Sequence, residues 1–190
     1  MNKLSKAKRH EKLQDIINDN PFLTDRELAD NFNVSVQTIR LDRMELDIPE
    51  VRKRIKNMAQ SAYKRLKSVN EGEVVGELIK LKLNTYAESY LVTDKRMALQ
   101  HSNIIRGHHI FAQANSLAVG VIDAELVLTG KVELKFLKPV YIDESIKAKA
   151  EVQDIQENKY FINVNTYRKN DHVFKGDFIM FSKPKRGDFD

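Results

Sequence analysis

The chain has 190 residues, 42% of them apolar, enough for one large domain or two small ones with a real core. It has no cysteine, which excludes disulfides, cysteine-based zinc sites and thiol catalysis together. No apolar run approaches the ~18 residues needed to span a bilayer, and the start MNKLSKAKRHEKLQ is charged where a secretory signal is apolar; a cytoplasmic protein with no membrane partner is expected.

Charge is unevenly placed. Residues 1–70 hold 15 Lys/Arg and 10 Asp/Glu, whereas residues 71–190 hold 17 of each, so the net +5 sits in the first third. That asymmetry fits a basic module that meets a polyanion, joined to a neutral module that does not.

The first element is a helix over about residues 4–19, with Leu13, Ile16 and Ile17 on one face. Asn20-Pro21 ends it, because proline disfavours helix in the residue before it. Thr24-Asp25-Arg26-Glu27 is a capping box, and Leu28, Ala29 and Phe32 give the short second helix its buried face. A tight turn over 31–34 follows. Ser35 then caps a third helix running to about Leu46. Helix, short helix, turn, helix is a helix-turn-helix layout over residues 1–48, in which the start of the third helix reads base edges in the major groove. Gln37, Thr38 and Arg40 lie there and suit adenine, phosphate and guanine. Leu41 either touches a thymine methyl or packs on its own domain.

The string VSVQTIRLDRMEL, residues 34–46, resembles the recognition helix of winged or DeoR-like bacterial repressors. Those repressors usually carry an apolar residue where this chain has Arg43. Either another side chain makes that core contact, or Arg43 reaches phosphate.

Residues 49–71 read as an amphipathic linker helix. Pro49 and Glu50 suit its first turn. Val51, Ile55, Met58, Ala59, Ala62, Leu66 and Val69 form one stripe, and Arg52, Lys53, Arg54, Lys56, Lys64, Arg65 and Lys67 crowd the other face. The stripe predicts docking on protein. The basic face is either a solvated surface or a phosphate contact, with Arg52, Arg54 and Lys56 the leading candidates.

From residue 72 to 190 the period changes to two. Residues 75–83 and 89–93 read as strands, as do the alternating sets Val132 to Phe136, Ile146 to Val152, Tyr160 to Thr166 and Phe174 to Met180, in an antiparallel meander. A helix between Gly107 and Asp123, with Ile110, Phe111, Ala114, Leu117, Ala118, Val121 and Ile122 apolar, interrupts them. A sheet wrapped around an apolar helix is the hot-dog arrangement, which usually pairs two protomers. The fold class is α+β.

The helix start RGHHIFAQANSLA, residues 106–118, resembles the H-G-G-x-x-x-x-L-x-D segment of PaaI-type hot-dog thioesterases. Arg106 falls where those enzymes place histidine. Gly107 matches the first glycine, and Asn115 stands in the place of the catalytic carboxylate. Thioester hydrolysis there needs a carboxylate as base or nucleophile. An amide supplies neither, so the domain reads as a binding derivative, not an enzyme, and needs no cofactor. The alternative is an acyl-CoA thioesterase with a fused DNA-binding domain, with Glu125 or Asp123 standing in as the acid. Leu128, near a strand entry, either lines an acyl or pantetheine channel or is simple core.

Taken in order, the three parts resemble the FapR family of repressors of fatty acid and phospholipid synthesis in Gram-positive bacteria, on the strings VSVQTIRLDR, IPEVRKRIKN and RGHHIFAQANSLAV. The resemblance implies a homodimer on a palindromic double-stranded operator, released by malonyl-CoA or malonyl-acyl carrier protein. It also implies that Arg106 pairs with the malonyl carboxylate and that Asn115 positions the ligand. A guanidinium at a helix start is a good carboxylate receptor. His101, His108 and His109 lack a further ligand at metal-site spacing.

Overall fold

The computed structural model describes residues 4–63, 66–68 and 73–183. The N-terminal module is three helices, α1 (Lys6–Asp19), α2 (Asp25–Phe32) and α3 (Val36–Glu45). The capping box forms in both directions: Glu27 N donates to Thr24 Oγ1 at 3.2 Å, and Thr24 N donates to Glu27 Oε2 at 2.9 Å. Asn33, at φ 51, takes the left-handed conformation that stops α2. Ser35 caps α3 by accepting from Thr38 N at 3.1 Å. Leu13, Ile17, Leu28, Ala29 and Ile39 form the small core. A core this small needs help, and charged groups tie the helices at its rim. Asp42 on α3 is almost fully buried, accepting from Arg9 Nε at 2.6 Å and Nη2 at 2.9 Å and contacting His10 Nε2 at 2.9 Å.

The linker helix α4 spans Val51–Tyr63, about 20 Å at 1.5 Å per residue, and residues 66–68 are bent rather than helical. It is therefore shorter than the expected run to residue 71. Val51, Ile55 and Ala59 are buried, as the stripe predicts, while Met58 is exposed. The Ala62 side chain, and Lys64, Arg65 and Val69, lie outside the described residues. Leu66 packs on the core of the C-terminal domain.

That domain contains β1 (Glu77–Lys82), β2 (Tyr86–Val92), α5 (Gly107–Gly120), β3 (Leu126–Phe136), β4 (Ser145–Gln156), β5 (Lys159–Arg168) and β6 (Asp171–Lys183). All pairings are antiparallel, in the order β1-β2-β4-β5-β6-β3. The expected simple meander holds only for β4-β5-β6. The long insertion between β2 and β3 carries the chain along α5, so β3 returns at the far edge beside β6 and β4 pairs with β2. The first two strands also differ from expectation. β1 begins at Glu77, after Gly76 at φ +86. β2 begins at Tyr86, which pairs with Glu151. Ala148 and Ala150, both fully buried, leave room for α5 to lie close on the sheet, where Ile110, Ala114, Leu117 and Ala118 meet Ile162, Val164, Phe178 and Met180.

Candidate DNA-binding and effector sites

The residues expected to face DNA divide into two groups. On α3, Gln37 and Arg40 are exposed, as are Leu41 and Met44, so the outer face of the helix is free to enter a groove. Leu41 thus faces outward rather than packing on its domain. Thr38 and Ser35 share a hydrogen bond, Oγ1 to Oγ at 2.8 Å, that braces the helix start.

Arg43 and Arg54 correct the sequence-based expectation. Arg43 is buried: its Nε and Nη2 donate to Asp25 at 2.6 and 2.8 Å, and its Nη1 donates to the Ile48 carbonyl at 2.9 Å. The ion pair with Asp25 fills the place where an apolar residue is usual, and no nitrogen is left for phosphate. Arg54 is buried too, donating to the carbonyls of Pro21, Leu23 and Pro49. Burial, with the nearby charge of Arg43 adding, pushes its pKa down to about 10. Both arginines assemble the module. Lys53 and Lys56 remain exposed on α4. Arg52 is half-exposed and meets Asp94 of the C-terminal domain.

The DNA module lies against the sheet. Phe22, in the turn before α2, stacks on Tyr90 of β2 with ring centroids 3.8 Å apart and planes 6° from parallel. Burial, with Glu88 adding, pushes the Tyr90 hydroxyl up to about 12. Arg26 Nη1 donates to the Ile142 carbonyl at 3.2 Å, and Lys169 lies 3.7 Å from Glu27. A cavity of about 370 Å³ opens between the two bodies. Arg26, Arg40 and Arg52 line it together with Asp94 and Asp143.

The effector candidates lie along the seam between α5 and the edge strand β3. Arg106 occupies the N-cap of α5, with its main-chain amide on the Met97 carbonyl at 2.9 Å and Nη1 on the Arg96 carbonyl at 3.3 Å. Gly107 lies tight against β3, since a Cβ there would sit 2.8 Å from the Phe136 ring. A groove of about 450 Å³ opens beside it, lined by Ile104, Ile105, Ile110, Phe136 and Val140. Further along, Thr129 Oγ1 donates to Asn115 Oδ1 at 2.9 Å. Helix and strand thus run antiparallel, with Gly107 against Phe136 at one end and Asn115 against Thr129 at the other. Leu128 is 43% exposed on β3, so the simple-core alternative for it fails.

His109 is biased toward its neutral form by burial, with His108 and Arg106 adding repulsion. Asp123 is committed to an ion pair with Lys67 at 2.6 Å. Three features were not foreseen from sequence: the Phe22–Tyr90 stack, Asp94, and the buried Gln113, whose Nε2 donates to Ser89 Oγ at 3.1 Å. An amide in the apolar α5 pattern was the one available signal for Gln113.

No helix among the described residues is long and apolar enough to cross a membrane. Residues 9–65 match the DeoR-like helix-turn-helix domain. The C-terminal domain is similar in fold to an uncharacterized protein of Pyrococcus horikoshii, at TM-score 0.56 and 29% identity over 59% of this chain and 85% of that one. It also shares its fold with the E. coli PaaI protein of the phenylacetic acid degradation operon, at TM-score 0.51 and 13% identity over 55% and 80%. Across the whole length, the transcription factor FapR of Halalkalibacterium halodurans is 46% identical over 94% of this chain and 96% of its own. That of Caldanaerobacter subterraneus subsp. tengcongensis is 48% identical over 94% and 89%. An α+β chain with a helix-turn-helix module and a hot-dog domain, matched over nearly all of its length by these relatives, belongs to the FapR family of transcription factors.

Proposed function

We propose that the chain represses genes of fatty acid and phospholipid biosynthesis in the cytoplasm, and that malonyl-CoA or malonyl-acyl carrier protein releases it from its operator. The observation that carries the effector reading is the α5/β3 seam: a guanidinium at the helix start, a glycine that lets the strand approach, and an amide where related thioesterases need a carboxylate. A carboxylate ligand meets Arg106 by charge-assisted hydrogen bonds, helped by the amides at the start of α5. Asn115 orients the acyl portion by hydrogen bonding and performs no attack. Leu128 sits between Val127, which packs on the core, and Thr129, which bonds Asn115, so its exposed side chain projects from the opposite face of β3 and does not enter this seam.

The working unit is a homodimer. Among the described residues β3 has no strand on its outer edge, and Leu126, Leu128, Leu134 and Phe136 are exposed along it. Soluble proteins rarely leave such an edge open, and a second copy covers it. Each protomer then presents one α3 to one half of a palindrome, with Gln37 and Arg40 toward the bases and Ser35, Thr38, Arg52 and Lys56 toward phosphate.

The deciding experiment is calorimetric titration with malonyl-, acetyl- and succinyl-CoA, run beside operator binding. Malonyl-CoA alone is expected to bind tightly and to release operator, and Arg106→Ala to keep the operator while ignoring malonyl-CoA. Free CoA appearing on incubation with malonyl-CoA supports the thioesterase alternative instead.

A further inference from the structure

At the edge of the cavity between the DNA module and the sheet, one carboxylate is shared by two arginines. After β2 the chain passes Asp94 into a single 3-10 turn, Lys95–Met97. Asp94 caps that turn, accepting from the Arg96 amide at 2.8 Å on Oδ1 and from Arg96 Nη2 at 2.7 Å on Oδ2. The same Oδ2 accepts from Arg52 Nη2, on α4, at 2.9 Å, and Arg52 also donates to the Val92 carbonyl at 3.1 Å. A guanidinium held by anionic and carbonyl oxygens has found the partners a phosphate diester would offer it. Hydrogen bonding from Arg96, with Arg52 adding, holds the Asp94 carboxyl well below the usual carboxylate range, so it is an anion at neutral pH. The opposite side of the turn is fixed by Arg106, through its bonds to the Arg96 and Met97 carbonyls.

We propose that Asp94 is an internal competitor for DNA phosphate: in the docked form it occupies Arg52, and the turn that carries it links the occupancy of the Arg106 site to the freedom of the linker helix. The first half stands on the Arg52–Asp94 pairing across the domain boundary. The second half rests on the effector reading above. A ligand carboxylate at Arg106 draws on the same guanidinium that braces the turn. Any movement there reaches Asp94 two residues from the Arg96 carbonyl. Competition of this kind is a differential contact between the docked and DNA-bound states, which is what a ligand-driven release requires.

The test uses the full-length protein with labelled operator and random duplexes, followed by anisotropy without effector. Asp94→Asn keeps a good cap residue while removing the charge. It is expected to tighten both duplexes by roughly two- to five-fold, the range for a partly exposed ion pair. The gain should be equal on the two duplexes, because phosphate contacts carry no sequence information. Arg52→Gln should weaken both, and Asp94→Asn should add nothing in that background. Unchanged affinity of Asp94→Asn, or an equal gain in the Arg52→Gln background, overturns the competition. Calorimetry with malonyl-CoA separates the two readings. No binding to the wild type sinks the effector reading and leaves the Asp94 result standing. Normal binding to Asp94→Asn with weaker operator release supports the link through the turn, whereas undiminished release overturns it.

Discussion

Phe22→Ala tests whether the docked arrangement is the released state. The Phe22 ring lies flat on Tyr90 at 3.8 Å and 6°, so truncation removes an aromatic stack worth about 0.5–1.5 kcal/mol together with part of its buried area. The Ala variant should therefore lose about 1–2 kcal/mol of docking, or roughly 5- to 30-fold in the docking equilibrium at about 1.4 kcal/mol per decade. On the proposed effector reading, docking opposes DNA most with malonyl-CoA saturating, and the consequence is read there. Operator titrated against effector-saturated protein should bind Phe22→Ala more tightly by about that factor, while calorimetry gives an unchanged Arg106 site. Tyr90→Ala should act in the same direction, and the double variant should do little more, because both remove one contact. Release from operator as complete in Phe22→Ala as in the wild type would refute the reasoning.

Other expectations concern the DNA module itself. Arg40→Ala should narrow the affinity gap between operator and random duplex by about 1–3 kcal/mol, measured by competition. Lys56→Ala should lower the slope of log affinity against log salt by about 0.9 without changing the melting temperature. Arg54→Ala should do the reverse, costing about 2–3 kcal/mol of stability because the carbonyls of Pro21, Leu23 and Pro49 lose their donor. Asp42 is held below its ordinary value of 3.8, first by hydrogen bonding from Arg9. The stability it contributes is therefore present above that value and is lost as pH falls through the depressed one. Thermal melts from pH 5 to 2 should show this loss in the wild type and a smaller one in Asp42→Asn.

The features legible in the sequence are those set by neighbours a few residues apart. The capping box at Thr24–Glu27, the Ser35 cap and the apolar face of α5 depend on spacings of three and four, and each formed as read. The α4 stripe was legible for the same reason, but the roles of its cations were not. Arg54 looks like Arg52 or Lys56 until the loop before α2 brings two carbonyls to it. Arg43 was visible as a departure from its family's apolar residue, yet only the fold brings Asp25 beside it. β3 shows the limit most plainly. Its alternation marks a strand, but its place at the sheet edge is decided by the α5 crossover, and that place makes Leu128 exposed instead of core.

The docked contacts also bear on the proposed dimer. Moving a repressor from 99% bound to 99% released needs about 5.5 kcal/mol of differential affinity. The contacts between each module and its sheet that docking adds include one aromatic stack, the Arg52–Asp94 and Lys169–Glu27 pairs and the Arg26–Ile142 hydrogen bond. At about 0.5–1.5 kcal/mol for the stack, 0.2–1 for each exposed pair and 0.5–1.5 for the hydrogen bond, they amount to roughly 1.5–5 kcal/mol per protomer. One module falls short of a full switch, whereas two modules drawn from one palindrome, at roughly 3–10 kcal/mol, bracket it. The coupling free energy between malonyl-CoA and DNA should therefore be about twice as large on a full palindrome as on a single half-site. Linkage lets it be measured either way, as the loss of DNA affinity caused by effector or the loss of effector affinity caused by DNA. Equal coupling on half-site and palindrome would mean that a single docked module supplies the whole switch, and that contacts beyond those between Phe22, Arg26, Glu27, Arg52 and the sheet carry it.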